Sequence, residues 1–142
     1  MIILDTNVVS ALMLREPDAT VVSWLDRQES GSVWTTSITV FEIRFGLGLL
    51  PTGKRRRRLE EMFTRALHDD LERRVLPFED EAAGHAAEIA AHRRLAGRPV
   101  DFRDVEIAGI VASRSATLAT GNTRHFEGLG IAMVDPWKDD GR

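Results

Sequence analysis

Four polar side chains stand where strand-like segments end or where helices begin. Asp5 directly follows a short apolar run, and Asn122 follows a β-rich segment. Glu42 and Asp104 lie near the starts of two segments whose apolar residues have helical spacing. Clustered carboxylates repel one another, and a shared cation relieves that repulsion. Oxygen ligands favour Mg²⁺ or Mn²⁺ over zinc, and such an ion activates water for phosphodiester hydrolysis.

Each of these side chains also has an ordinary structural role when it is considered alone. Asp5 can cap a helix, and the segment 39–42 fits a capping box in which Glu42 returns to the helix start. Asp104 follows Asp101, a candidate cap, and lies in a first turn, where acids favour the helix dipole. The functional hypothesis therefore depends on the four residues occurring together.

The elements that must position these residues alternate between strand and helix. Short apolar or β-branched runs predict five strands, at 2–4, 33–36, 75–76, 117–120 and 131–134. Such an order predicts an α/β fold, with a central parallel sheet of about five short strands and helices on both faces. Ligands bind beyond the carboxyl ends of such strands, where the four polar residues fall. Nothing divides the chain, so residues 1–142 are expected to form a single domain.

The helices are predicted from apolar residues spaced three to four apart. They cover 39–50, 54–71 and 80–95, and another follows Asp101. Asp80 and Asp101 are the expected caps, Gly97 is the expected stop, and Pro17 suits the first turn of an earlier helix.

Composition excludes several classes of protein. The chain has no cysteine, so disulfides, thiolate zinc sites and cysteine nucleophiles are excluded. No apolar run is long enough for a membrane span, and the acidic N-terminus lacks a signal peptide's basic region, which predicts a cytoplasmic location. A net charge of −3 argues against nucleic-acid binding by bulk charge. The basic run 54–58 is either a solvated helix face or a surface for phosphates or an acidic partner.

Four segments of the chain, in order, resemble the motifs of the PIN-domain ribonucleases. They are Asp5-Thr6-Asn7, the segment TVFEIRFG at 39–46, the segment DVEIAGIVA at 104–112, and LATGNTRHF at 118–126 with the Gly-Leu-Gly and Asp-Pro-Trp that follow it. The resemblance covers residues 1 to about 137 and is closest to the VapC toxins, in their FitB-like branch. It implies a PIN-like domain.

The resemblance implies a metal-dependent endoribonuclease that is the toxin of a type II toxin–antitoxin pair. By it, Asp5, Glu42 and Asp104 are ligands of Mg²⁺ or Mn²⁺, and a metal-activated water hydrolyses the phosphodiester. Asn122 stands where a fourth acid is common in the family, and its amide oxygen can coordinate without adding charge. Thr6 and Thr120 match positions whose hydroxyls support the carboxylates or a metal-bound water.

The partners that the resemblance implies are RNA as substrate, a VapB-like or FitA-like antitoxin, and a second copy of the chain in a homodimer. DNA would be contacted only through the antitoxin, and no membrane is involved. In the family, an extended antitoxin segment crosses the helical region and can place an arginine in the acidic pocket. Surplus apolar residues favour an interface in this region. They are Phe41, Phe45, Leu49, Leu50, Met62, Phe63 and Leu67.

Three other classes of protein share parts of this pattern. A phosphatase with an aspartyl nucleophile would have a second aspartate where Asn7 stands. A response-regulator-like switch would need a lysine after a late strand, and there is none between Lys54 and Lys138. A non-catalytic metal-binding interaction or regulatory module remains compatible with the sequence, and loss of nucleolytic activity on metal removal would distinguish an enzyme from it.

Overall fold

A five-stranded parallel sheet forms the centre of the protein in the computed structural model, which describes residues 1–138. The strands are β1 (Ile2–Leu4), β2 (Val33–Thr36), β3 (Val75–Leu76), β4 (Thr117–Ala119) and β5 (Ala132–Val134). Their order is β3-β2-β1-β4-β5, and every neighbouring pair is parallel. The α/β class predicted from the sequence is therefore confirmed. The predicted single domain extends over residues 139–142, which lie outside the described residues.

Helices connect the strands in the predicted alternation. They are α1 (Thr6–Leu12), α2 (Ala19–Asp26), α3 (Ser37–Gly48), α4 (Lys54–Arg65), α5 (Asp80–Leu95), α6 (Phe102–Ser113) and α7 (Thr123–Phe126), with a π-helical turn at Ala66–Asp70 after α4. None of the helices described within residues 1–138 is long and apolar enough to cross a membrane.

Two hydrophobic cores lie on opposite faces of the sheet. Leu4 and Ala119 belong to a cluster with residues of α1 to α4, whereas Ile3 and Leu118 belong to a cluster with residues of α5 to α7. Because successive residues of a strand point to opposite faces, the two clusters must flank the sheet. Both faces of the sheet are thus covered by helices, as predicted.

Several helix starts differ from the sequence prediction. α3 begins at Ser37, because the Thr36 hydroxyl accepts the backbone N–H of Thr39 at 3.1 Å. Thr39 is therefore inside the helix, and the predicted capping box with Glu42 is wrong. Glu79 rather than Asp80 occupies the cap position of α5, without a side-chain bond.

Asp18, not Pro17, marks the start of α2, since its carboxylate accepts the N–H of Thr20 at 2.8 Å. The predicted helix over 54–71 ends as an α-helix at Arg65 and continues as the π-helical turn. Asp101 does cap α6, and Gly97 follows α5 with a φ of 74°, a left-handed conformation that glycine tolerates.

α5 and α6 pack closely because of a glycine in α6. A Cβ atom placed on Gly109 would lie 2.5 Å from the carbonyl oxygen of Ala82 and 2.8 Å from the Cβ of Ala86. Only glycine allows the two helices to approach this closely. The contact fixes the position of α6, whose first turn carries Asp104.

Candidate active site

The four predicted site residues line one cavity of about 530 Å³ beyond the carboxyl ends of β1, β2 and β4. β1 lies at the centre of the sheet, with β2 and β3 on one side of it and β4 and β5 on the other. The strand order therefore reverses at β1, and the cavity lies at this topological switch point. The residues that line the cavity are Asp5, Thr6, Asn7, Ser10, Glu42, Asp101, Arg103, Asp104, Asn122 and His125.

Asp5 is buried and is held by polar side chains rather than used as a helix cap. It precedes α1, but its carboxylate makes no capping hydrogen bond. The hydroxyl of Thr120 donates to its Oδ2 at 2.8 Å, and the amide of Asn7 donates to the same oxygen at 3.1 Å. Thr120 also accepts from Asn7 and from the backbone N–H of Asn122. These bonds fix the orientation of Asp5 from two directions.

Glu42 is positioned by the hydroxyl of Thr6, which pairs with the hydroxyl of Thr39. The Thr6 hydroxyl donates to Oε1 of Glu42 at 3.2 Å and lies 3.2 Å from the hydroxyl of Thr39. Thr39 is fully buried, so the pair is anchored in the core. Thr6 and Thr120 therefore each contact a carboxylate, Glu42 and Asp5 respectively.

The side chains of an arginine and a histidine, Arg103 and His125, line the same cavity. Nδ1 of His125 lies 3.7 Å from Oδ2 of Asp104, and a terminal nitrogen of Arg103 lies 3.9 Å from Oε2 of Glu42. Sequence pattern alone predicts a site role for neither Arg103 nor His125. The available signals were weak: Arg103 is adjacent to Asp104, and His125 lies three residues after Asn122.

The remaining candidates divide between the cavity and the surface. Asn122 lines the cavity and makes no capping bond to α7. Asp101 both caps α6 and lines the cavity. The basic run 54–58 forms the start of α4, where Arg56 pairs with Glu60 at 2.7 Å, away from the cavity.

Burial raises the pKa of all three carboxyl groups. Desolvation raises the pKa of Asp5 above its ordinary value although the Thr120 hydroxyl opposes this. Desolvation also raises the pKa of Glu42, and the charges of Asp5 and Asp104 add to the effect. For Asp104, burial and then the charge of Asp5 raise the pKa, against the pull of His125 and Arg103. The three acids thus repel one another in a partly desolvated cavity.

The donor set of this cavity fits a hard divalent cation by chemistry. Carboxylate and amide oxygens are the ligands that Mg²⁺ and Mn²⁺ prefer, and a cation would relieve the repulsion among the acids. Within residues 1–138, no three Asp, Glu or His side chains lie close enough together to hold one ion as they are arranged. Binding would therefore require the carboxylates to move closer together.

Asp104→Asn is expected to raise the Tm of the metal-free protein by a few degrees at pH 7. Because the pKa of Asp104 is raised on folding, its ionisation lowers the free energy of unfolding as pH rises through the folded pKa. Asparagine removes that charge, so the variant should show a gain in the free energy of unfolding over the wild type at neutral pH. It shrinks as pH falls toward the ordinary pKa of 3.8, where Asp104 itself becomes protonated.

Calorimetry in EDTA across this pH range measures the effect. Glu88→Gln, which removes an exposed carboxylate on α5, is the matched control and should leave Tm unchanged. A lower Tm for Asp104→Asn at pH 7 would show that the ionised carboxylate stabilises the fold.

A parallel α/β sheet with an acidic cavity at its switch point defines a class of small proteins suited to metal-assisted chemistry. Residues 2–130 match the family model described as the PIN domain. The chain therefore belongs to the PIN-domain family.

Named relatives of this chain include a ribonuclease and a toxin. The chain is 36% identical to the "VapC ribonuclease Y4jK" of Sinorhizobium fredii over 97% of its length and 99% of that protein. It is 34% identical to the "Toxin FitB" of Neisseria gonorrhoeae over 98% of its length and all of that protein. The crystal structure of FitAcB from Neisseria gonorrhoeae superposes with a TM-score of 0.86, at 34% identity, over 98% of this chain and 100% of that one.

Proposed function

We propose that the protein is a cytoplasmic, Mg²⁺- or Mn²⁺-dependent endoribonuclease that acts as the toxin of a type II toxin–antitoxin pair. The observation that carries the proposal is the arrangement of Asp5, Glu42 and Asp104 around one cavity, each with a pKa raised by burial. Two relatives that match this chain over nearly their full length are named as a ribonuclease and a toxin. Their names support RNA as the proposed substrate and a toxin as the proposed role.

In this mechanism, the three carboxylates are the metal ligands and Asn122 offers a neutral oxygen at the edge of the cavity. The bound ion would supply an activated water and stabilise the phosphoryl oxygens during hydrolysis. Thr120 and Asn7 hold Asp5 in one orientation, and Thr6 holds Glu42. Such supporting bonds restrict the orientations that each carboxylate can adopt as it moves toward a bound ion.

Cleavage of single-stranded or structured RNA by the purified protein tests the activity. Turnover should require added Mg²⁺ or Mn²⁺ and should stop with EDTA. The alternative is a non-catalytic metal-binding interaction or regulatory module, for which metal would change stability without any cleavage of RNA.

The partners we propose are a VapB-like or FitA-like antitoxin and a second copy of the chain. Phe41 and Phe45 of α3 and Leu49, which directly follows it, form an exposed apolar stripe, and the two phenylalanine rings stack with centroids 5.9 Å apart. Phe63 and Leu67, which the sequence suggested for the same surface, are buried in the core instead. Complexes of VapC and FitB proteins with antitoxins are among the structures similar to this one.

The double substitution of Phe45→Ser and Leu49→Ser in this stripe is expected to disrupt assembly while the chain stays folded. Both side chains are at least half exposed, so their loss removes little of the core. Co-expression with the protein encoded immediately upstream, followed by light scattering, measures the mass of each assembly. The wild-type chain should form a homodimer and a complex with this neighbour, and the complex should lose RNA cleavage.

Leu95→Ser, which changes another strongly exposed apolar residue on α5, is the control and should assemble normally. A wild-type monomer whose activity is untouched by the neighbour would remove the toxin–antitoxin assignment but leave the nuclease assignment standing. In the proposed complex, DNA is contacted only through the antitoxin.

A further inference from the structure

We propose that Arg103 binds the phosphate of the RNA at the mouth of the acidic cavity and is held over Glu42 until RNA arrives. This inference rests on the proposed ribonuclease function and adds to it a substrate-positioning residue. Arg103 is the one lysine or arginine among the described residues that line the cavity.

The first observation concerns how Arg103 is anchored. It is the second residue of α6, and its backbone N–H donates to the capping carboxylate of Asp101 at 2.8 Å. Its Nε lies 3.4 Å from the same Asp101 oxygen. The Asp101 carboxylate thus holds the side chain loosely at its Nε, and the terminal nitrogens reach the cavity that Glu42 and Asp104 also line.

The second observation concerns what the terminal nitrogens do. One of them lies 3.9 Å from Oε2 of Glu42, which is within ion-pair range but too long for a hydrogen bond. The side chain is about half exposed. A loose, solvated ion pair of this kind contributes little energy, so exchanging Glu42 for another anion costs little.

The third observation concerns charge. Asp5, Glu42, Asp101 and Asp104 line the cavity, so an RNA phosphate that enters it meets mainly negative charge. A guanidinium presents donors in a planar fork that matches two phosphate oxygens, and it keeps its charge at any physiological pH. Arg103 can therefore offset this repulsion at the side of the cavity where α6 begins. Its departure from Glu42 also frees that carboxylate.

Removal of Arg103 should change RNA binding and metal binding in opposite directions. In Arg103→Gln, the affinity for a short fluorescein-labelled single-stranded RNA, measured by anisotropy in EDTA, should fall about tenfold. The slope of log K against log salt should become shallower by about 0.7, the contribution of one phosphate contact to single-stranded nucleic acid. Mn²⁺ affinity without RNA, measured by calorimetry, should increase severalfold because a competing cation has left Glu42.

Two variants complete the experiment. Arg103→Lys keeps the charge but not the fork, so the salt slope should return to the wild-type value while affinity stays intermediate. Arg114→Gln removes an exposed arginine just beyond the other end of α6, roughly 16 Å along the helix axis, and should match the wild type.

An unchanged salt slope in Arg103→Gln, or a weaker Mn²⁺ affinity of the kind a distorted site would show, overturns the role of Arg103 and leaves the ribonuclease proposal intact. A wild-type protein that binds no RNA in EDTA also overturns the role of Arg103, and cleavage of the same RNA after addition of Mn²⁺ then tests the ribonuclease proposal separately.

Discussion

Asp5→Asn is expected to lower metal-dependent RNA cleavage by about three orders of magnitude while the protein stays folded. The change removes one negative charge from the most buried of the three carboxylates, and cation affinity depends on the charge of the ligands. The amide oxygen can still accept the hydrogen bonds of Thr120 and Asn7, so the local structure should be kept. Single-turnover cleavage of a labelled RNA at saturating Mn²⁺ measures the loss.

Three controls make this result specific. Because burial raises the pKa of Asp5, removing its charge should not lower Tm at pH 7, and calorimetry tests that directly. Thr120→Val deletes the hydroxyl that orients Asp5 and that also accepts from Asn7 and Asn122, and it should reduce activity by about 10- to 100-fold. Glu88→Gln, which removes an exposed charge on α5, should have full activity. A folded Asp5→Asn protein that cleaves RNA at the normal rate would refute the mechanism.

Gly109→Ala is expected to lower the free energy of unfolding by about 2–3 kcal/mol. The added methyl group would lie 2.5 Å from the Ala82 carbonyl oxygen, so α6 must move away from α5. This overpacking outweighs the roughly 1 kcal/mol that alanine gains over glycine within a helix. Activity should also fall under conditions where the variant is folded, since α6 carries Asp104. Urea denaturation and the cleavage assay measure the two effects.

Gly84→Ala is the matched control for that substitution. Gly84 lies within α5, and a Cβ atom there would meet nothing within 4 Å. Without a clash, the same change should raise the free energy of unfolding by about 0.5–1 kcal/mol. If Gly109→Ala were as stable as Gly84→Ala, the close approach of α5 and α6 would not be the tight contact described here.

Local pattern was sufficient to predict the sheet and the residues that meet at its edge. Short apolar runs defined the strands, and the rule that parallel strands place their carboxyl ends together brought Asp5, Glu42 and Asn122 to one cavity. Helix starts were less predictable, because Thr36 and Thr39 are three residues apart and either threonine could cap α3. Only the packed structure distinguishes them.

The residues that local pattern missed depend on tertiary approach. Arg103 and His125 are charged or polar residues on exposed helix positions, where solvent is the ordinary environment. They reach the cavity because α6 and α7 both start at the same edge of the sheet. Phe63 and Leu67 were assigned to a surface for the converse reason, since their burial follows from how α4 and the π-helical turn pack on the sheet.

The bond between Thr120 and Asp5 joins residues 115 positions apart, which has a consequence for synthesis. A ribosome that adds about 5–20 residues per second needs roughly 6 to 23 seconds to extend the chain from one to the other. Until then, β1 lacks its β4 neighbour and Asp5 lacks the hydroxyl that orients it. A nascent chain of the proposed ribonuclease therefore has no assembled cleavage centre until the ribosome has passed the codon for Thr120.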